Sequence, residues 1–150
     1  MSTRVEQAVG RFVEGFNCSQ AVLGSYCEEF GLDCEMGFKV ATGFGGGMHI
    51  GKTCGAVTGA FMVLGLKYGS TDAEDEGLKA KAYEKIMEYS NRFKDRNGSV
   101  ECRELLGCDI SEPEGIKKAV EEGLFGSVCP KMVRDAAEIL EEMLGEEAMG

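Results

Sequence analysis

Seven cysteines stand in this 150-residue chain, at Cys18, Cys27, Cys34, Cys54, Cys102, Cys108 and Cys129. An odd count in a chain without a secretion signal argues against a disulfide scaffold and towards metal, cluster or redox chemistry. No C-x-x-C pair occurs, which removes the strongest thioredoxin-like and zinc-ribbon signals. One of the seven, Cys54, directly follows the octet GGMHIGKT at positions 46–53, which satisfies the phosphate-loop pattern G-x-x-x-x-G-K-[ST]. Two chemistries are therefore on offer, one of thiols and one of phosphate.

The elements that must carry these residues read as helices. Val5, Ala8, Val9, Phe12 and Val13 follow one helical face, with Gly15 as a stop. A second helix opens with Asn17 and Gln20 in capping-box spacing, turns Ala21, Val22, Tyr26 and Phe30 inward, and ends at Gly31. A short helix covers Glu35 to Thr42, and the stretch CGAVTGAFMVLGLKYG is apolar on nearly all sides, as a central helix buried all round would be. Its Gly55 and Gly59 lie one turn apart, so another backbone could approach there. An amphipathic helix from Thr71 to Phe93 faces inward through Leu78, Ala82, Ile86, Tyr89 and Phe93, and RNGS reads as a turn. The CRELL turn follows. The next helix starts at SEPE, with Ser111 as cap, Pro113 in the first turn and Glu114 closing the box. The last helix starts near Pro130 and buries Val133, Ala136, Ala137, Leu140 and Met143 or Leu144. No period-2 strand is visible. The expectation is all-α: one domain over residues 1–150, a bundle of about six to eight helices around a buried central helix.

This reading removes the phosphate chemistry. A phosphate loop of that type joins a buried strand to a helix, and EMGFKVATGF ahead of Gly46 offers no strand. With glycine at 22 of 150 residues, an incidental match is also cheap. A formal charge of −10 and the lack of a basic, aromatic-interleaved run exclude nucleic acid as the expected partner. No apolar stretch approaches 18 residues and the N-terminus has no apolar signal core, so neither membrane insertion nor secretion is expected, and the cytoplasm is.

Placed on these helices, four cysteines share a position. Cys18 follows the cap Asn17, Cys54 heads the central helix, Cys102 heads CRELL, and Cys129 precedes Pro130. Unpaired N–H groups and the partial positive charge at a helix start favour thiolate over thiol. Lys52, Arg103 and Lys131 nearby would reinforce that sign. Cys27, Cys34 and Cys108 lack this placement and read as spare or structural, although Cys27 with Cys34, or Cys102 with Cys108, could form local pairs.

With these residues on the page, the chain resembles the family named for its cysteine signature, C_GCAxxG_C_C. The correspondence runs through Cys18 in FNCSQAVL, Cys54 to Gly59 in CGAVTG after FGGGM, Cys102 in CRELLG and Cys129 in VCPKMV, and covers nearly the whole chain. The resemblance implies that Cys18, Cys54, Cys102 and Cys129 are redox-active. A related domain in split-Soret cytochromes carries an iron–sulfur centre, and the haem motif CxxCH of those cytochromes is absent here. Those cytochromes are dimeric, which leans towards a homodimer; the redox partner itself is not readable.

The expectation is therefore an electron-transfer or redox-sensing protein whose Cys18, Cys54, Cys102 and Cys129 bind an iron–sulfur cluster, [2Fe-2S] in type. The same four would be its catalytic residues. Gly45, Gly46, Gly47, Lys52 and Gly55 would line the cofactor. Two alternatives stand beside it: a metal-free thiol–disulfide protein with Cys54 as nucleophile and Cys18 or Cys129 resolving it, and a structural zinc site. His49, the only histidine, reads as a loop residue, with a fourth or fifth ligand as its alternative role. The eight methionines read as core filling.

Overall fold

Asn17 and Gln20 form a full capping box: the Asn17 side chain accepts from the Gln20 N–H at 2.9 Å, and the Gln20 side chain accepts from the Asn17 N–H at 3.0 Å. Two of the first turn's orphan donors are thereby satisfied, and the helix is fixed to start at Cys18. The computed structural model of the chain describes residues 3–149, and the side chains of residues 3–146. Among the described residues there are eight α-helices and no strand: α1 (Thr3–Glu14), α2 (Cys18–Gly24), α3 (Cys34–Ala41), α4 (Gly55–Tyr68), α5 (Glu76–Asn97), α6 (Cys102–Leu106), α7 (Pro113–Glu121) and α8 (Leu124–Met149). The all-α expectation holds. Among the described residues no helix is long and apolar enough to cross a membrane.

The core lies where α2, α4 and α8 meet, filled by Val22, Leu23 and Tyr26, by Val57, Ala60, Val63 and Leu64, and by Val133, Ile139 and Leu140. Helix α5 closes one side with Tyr89 and Phe93, the Tyr89 hydroxyl donating to the Ala136 carbonyl at 2.8 Å. Outside that contact, Arg92 and Arg96 reach Glu138, Glu142 and Glu146 of α8. Helix α4 is not buried all round. Its first two turns are buried except at half-buried Thr58, Phe61 and Met62, and Gly65, Leu66 and Lys67 reach the surface, as do Val13 of α1 and Leu78 of α5.

Other boundaries move for identifiable reasons. Helix α2 stops at Gly24 rather than running to Phe30: the Ser25 and Tyr26 N–H groups donate to carbonyls three residues back, and turns carry the chain on to Cys34, which is joined to Cys27 in a disulfide with the Cα atoms 5.4 Å apart. Helix α5 opens later than expected, on the cap Asp75, and runs on to Asn97, where left-handed Gly98 ends it. Helix α7 has Glu112, not Ser111, at its cap, since the Ser111 hydroxyl is donated to Asp109 instead. The last helix starts at Leu124, after left-handed Gly123, and carries Pro130 inside it. Proline there forgoes only the bond that the Gly126 carbonyl would have received. Cys129 therefore lies in the second turn of α8 and not at a helix start.

Gly59 is where α2 and α4 come closest: a side chain there would meet the Ser19 carbonyl oxygen at 2.7 Å, whereas one at Gly65 on the same helix would meet nothing within 4 Å. Gly59→Val is accordingly expected to cost about 1–3 kcal/mol through overpacking, and Gly65→Ala to add about 0.5–1 kcal/mol. Urea unfolding of the two variants checks the pair, and equal effects would contradict the close approach. Replacing Cys27 and Cys34 together by serine should lower stability by about 2–3 kcal/mol from the lost loop constraint, read by the same unfolding against the wild type under non-reducing conditions.

Candidate functional site

Two short segments lay out half of the site. The chain at Lys52–Cys54 runs antiparallel to Val100–Cys102, with the Cys54 N–H donating to the Val100 carbonyl and the Cys102 N–H to the Lys52 carbonyl. This pairing sets Cys54, the cap residue of α4, beside Cys102, the first residue of α6. Cys18 arrives from the other direction, on the first turn of α2. It is admitted because Gly55 has no side chain: a Cβ there would run into the Cys18 sulfur and the Gly45 backbone. Close approach, rather than flexibility, is the use of this glycine.

The glycine-rich octet turns left-handed and follows a helix rather than a strand. Gly46, Gly47, Met48 and His49 are four successive residues with φ between 59° and 62°, a left-handed turn that glycine tolerates and that costs Met48 and His49 roughly 1–2 kcal/mol each. Its neighbours hold it in place. The Lys52 N–H donates to the Gly47 carbonyl at 3.1 Å, and the Arg103 guanidinium donates to the carbonyls of Ile50 and Gly51, both at 3.0 Å. A helix and a 3₁₀ turn precede the octet, and no sheet exists among the described residues to carry a nucleotide loop. Strain of this kind gathers where surrounding structure enforces a functional geometry.

The four cysteines do not share one electrostatic sign. The Cys54 thiol donates to the Cys18 sulfur, and the N–H groups of Gly46, Cys18 and Ser19 also point at it, so against its burial Cys18 is lowered to about 6. Its partner pays in the opposite direction: holding the shared proton, together with burial, raises Cys54 well above the ordinary thiol value despite the Ala56 N–H. Burial likewise pushes Cys102 up to about 12, outweighing Arg103, and Cys129 up to about 12. The expectation that helix starts would favour thiolate at all four positions is corrected here. Desolvation wins at Cys102 and Cys129, and at Cys54 the proton shared with Cys18 counts first and burial second.

All four nevertheless line one cavity of about 300 Å³. Gly45, Gly46 and Gly55 line it too, as the sequence suggested, and so does His49; Gly47 and Lys52 do not. Lys52 is exposed, with its charge felt by Asp109, and Lys131 binds Asn97 and Asp135 rather than facing Cys129. Cys108 stays free, half-exposed and off the cavity, while Cys27 and Cys34 are spent in their disulfide. Sequence reasoning missed the apolar wall, formed by Phe12, Leu106, Ile116, Phe125, Val128 and Met132 among others.

No curated protein and no solved structure matches the chain. A family model does: the one described as "Putative redox-active protein (C_GCAxxG_C_C)" matches residues 16–143. That span contains every cysteine of the cavity, helices α2 to α7 and most of α8, and leaves α1 outside it. The chain belongs to the C_GCAxxG_C_C family of redox-active proteins.

Proposed function

We propose that Cys18, Cys54, Cys102 and Cys129 hold an iron–sulfur cluster of the [2Fe-2S] type, used for electron transfer or redox sensing. One observation carries the reading: the four family cysteines, drawn from four separate segments, all line the same cavity, and no Asp, Glu, Lys or Arg lines it with them. The donor set suits the group. A thiolate-bound cluster is anionic, and the N–H groups of Gly46, Cys18 and Ser19 already converge on one of the sulfurs, where they would offset its charge. The cluster would supply one-electron redox chemistry; the chain's part is to present the sulfurs, exclude carboxylates and limit water.

A lone zinc ion suits the site less well. It needs four donors on one tetrahedron, with sulfur at about 2.3 Å, and among the described residues no three Cys, His, Asp or Glu side chains are grouped to hold a single ion. A dinuclear cluster divides its four ligands between two irons.

The second reading is a metal-free dithiol, favoured by the direct contact of the Cys54 thiol with the Cys18 sulfur. Here Cys18, the more acidic of the pair, is the nucleophile, and Cys54 resolves the mixed disulfide. This reverses the roles expected from the sequence.

Protein purified without oxygen should contain iron and acid-labile sulfide in equal amounts and absorb in the visible. Their absence, with a Cys18–Cys54 disulfide appearing on mild oxidation and counted by mass spectrometry, would replace the cluster with the dithiol. Acid should also strip the cluster. Three of the four thiols hold their protons more tightly than a free thiol, so protons compete for them as pH falls and binding strengthens as pH rises. Visible absorbance followed from pH 8 downwards should decline, and retention that improves on acidification would contradict the thiolate ligand set.

A further inference from the structure

Four sulfur ligands account for one end of the cavity and leave its apolar wall without a purpose. We infer that this wall forms a binding bay for one small, uncharged, ring-bearing organic molecule beside the cysteines. Volume, polarity and charge each support the assignment. An apolar cavity of roughly 150 Å³ accepts a benzene ring, and this one has about 300 Å³ in all, a volume that the ring and whatever the cysteines hold would share. Two aromatic side chains, Phe12 and Phe125, and the flexible Met132 are suited to a flat ring.

Apart from the cysteines, only Asn17 and His49 bring polar side-chain atoms to the lining. The Asn17 amide is already engaged, accepting from the Gln20 N–H and donating to the Thr42 carbonyl. His49 makes no hydrogen bond among the described residues, and the left-handed turn holds it at the cavity. One ring with one oxygen function facing His49 matches that inventory. A charged molecule would find no counter-charge in the lining and would lose its hydration for nothing in return. Three lining residues reach solvent, His49, Ile116 (46% exposed) and Phe125 (36%), so the bay is open past Ile116 and Phe125 as well as past His49. Among uncharged rings, quinones remain neutral in both the oxidised and the fully reduced form; that narrower choice rests on the redox reading above.

The test uses two redox-silent probes of the same shape, neutral 1,4-dimethoxybenzene and dianionic benzene-1,4-dicarboxylate, titrated into the full chain without oxygen while the methyl resonances are observed. The neutral probe should shift Ile110, Ile116 and Met132 saturably, and the dianion should bind at least about tenfold more weakly. Ile116→Trp, filling the mouth, should weaken the neutral probe by about tenfold or more. Val120→Trp, on the same helix but outside the lining, should leave it unchanged. Equal binding of both probes, shifts scattered away from the cavity, or equal effects of the two tryptophans would overturn the bay. The titration is run with and without prior treatment with iron and sulfide. Binding in both forms supports the bay, and binding only to iron-free protein overturns it while leaving the cluster intact. Probe binding to a protein that takes up no iron supports the bay and removes the cluster. Tetramethyl-1,4-benzoquinone, with no free ring carbon for thiol addition, should displace the neutral probe; failure to do so overturns the quinone assignment.

Discussion

The close crossing of α2 over the start of α4 is the contact on which the rest depends. Gly59 lets the Ser19 backbone come against α4, and one turn earlier Gly55 leaves room for the Cys18 sulfur and the Gly45 backbone. Without those two glycines the helices separate, and Cys18 leaves Cys54. The same crossing seats Val22 against Val57 and Ala60 in the core, so packing energy and site geometry are two results of one approach. Everything else in the site is brought to that crossing: Cys102 by the short antiparallel pairing at Thr53 and Glu101, and Cys129 by α8, which packs on both helices.

Burial then decides the chemistry of the sulfurs. A helix start offers about 0.3–1 kcal/mol to a nearby anion, whereas removing a thiolate from water can shift its pKa by several units. The sulfur that receives both a neighbouring thiol and several N–H groups escapes this penalty, and that sulfur is Cys18. Cys54, Cys102 and Cys129 remain thiols until something replaces their protons. A site with one ready thiolate and three held thiols is not a set of four independent nucleophiles.

Much of this was legible in the sequence because it is written in local signals. The capping box at Asn17 and Gln20, the paired glycines of CGAVTG and the four spaced cysteines each depend on residues a few positions apart. What stayed hidden depends on distant partners. The sequence points to a helix start at Cys129 because proline prefers the first turn, yet α8 begins at Leu124, after left-handed Gly123, and absorbs Pro130. Lys52 reads as a neighbour of Cys54, but its backbone is tied to Gly47 and Cys102 while its side chain remains outside the cavity. The octet GGMHIGKT carried a familiar pattern and an unfamiliar conformation, since nothing in four fixed letters specifies a left-handed turn held by Arg103 from the far side of the site.

The central claim is that four of the five free cysteines act together and the fifth does not. Serine replacements of Cys18, Cys54, Cys102, Cys108 and Cys129, one at a time, test it most directly when each protein is reconstituted with iron and sulfide without oxygen and its visible spectrum is recorded. The account predicts that the bound cluster is lost or spectrally altered in four of these proteins and unchanged in Cys108→Ser. Unchanged spectra for Cys102→Ser and Cys129→Ser, or loss in Cys108→Ser, would contradict it.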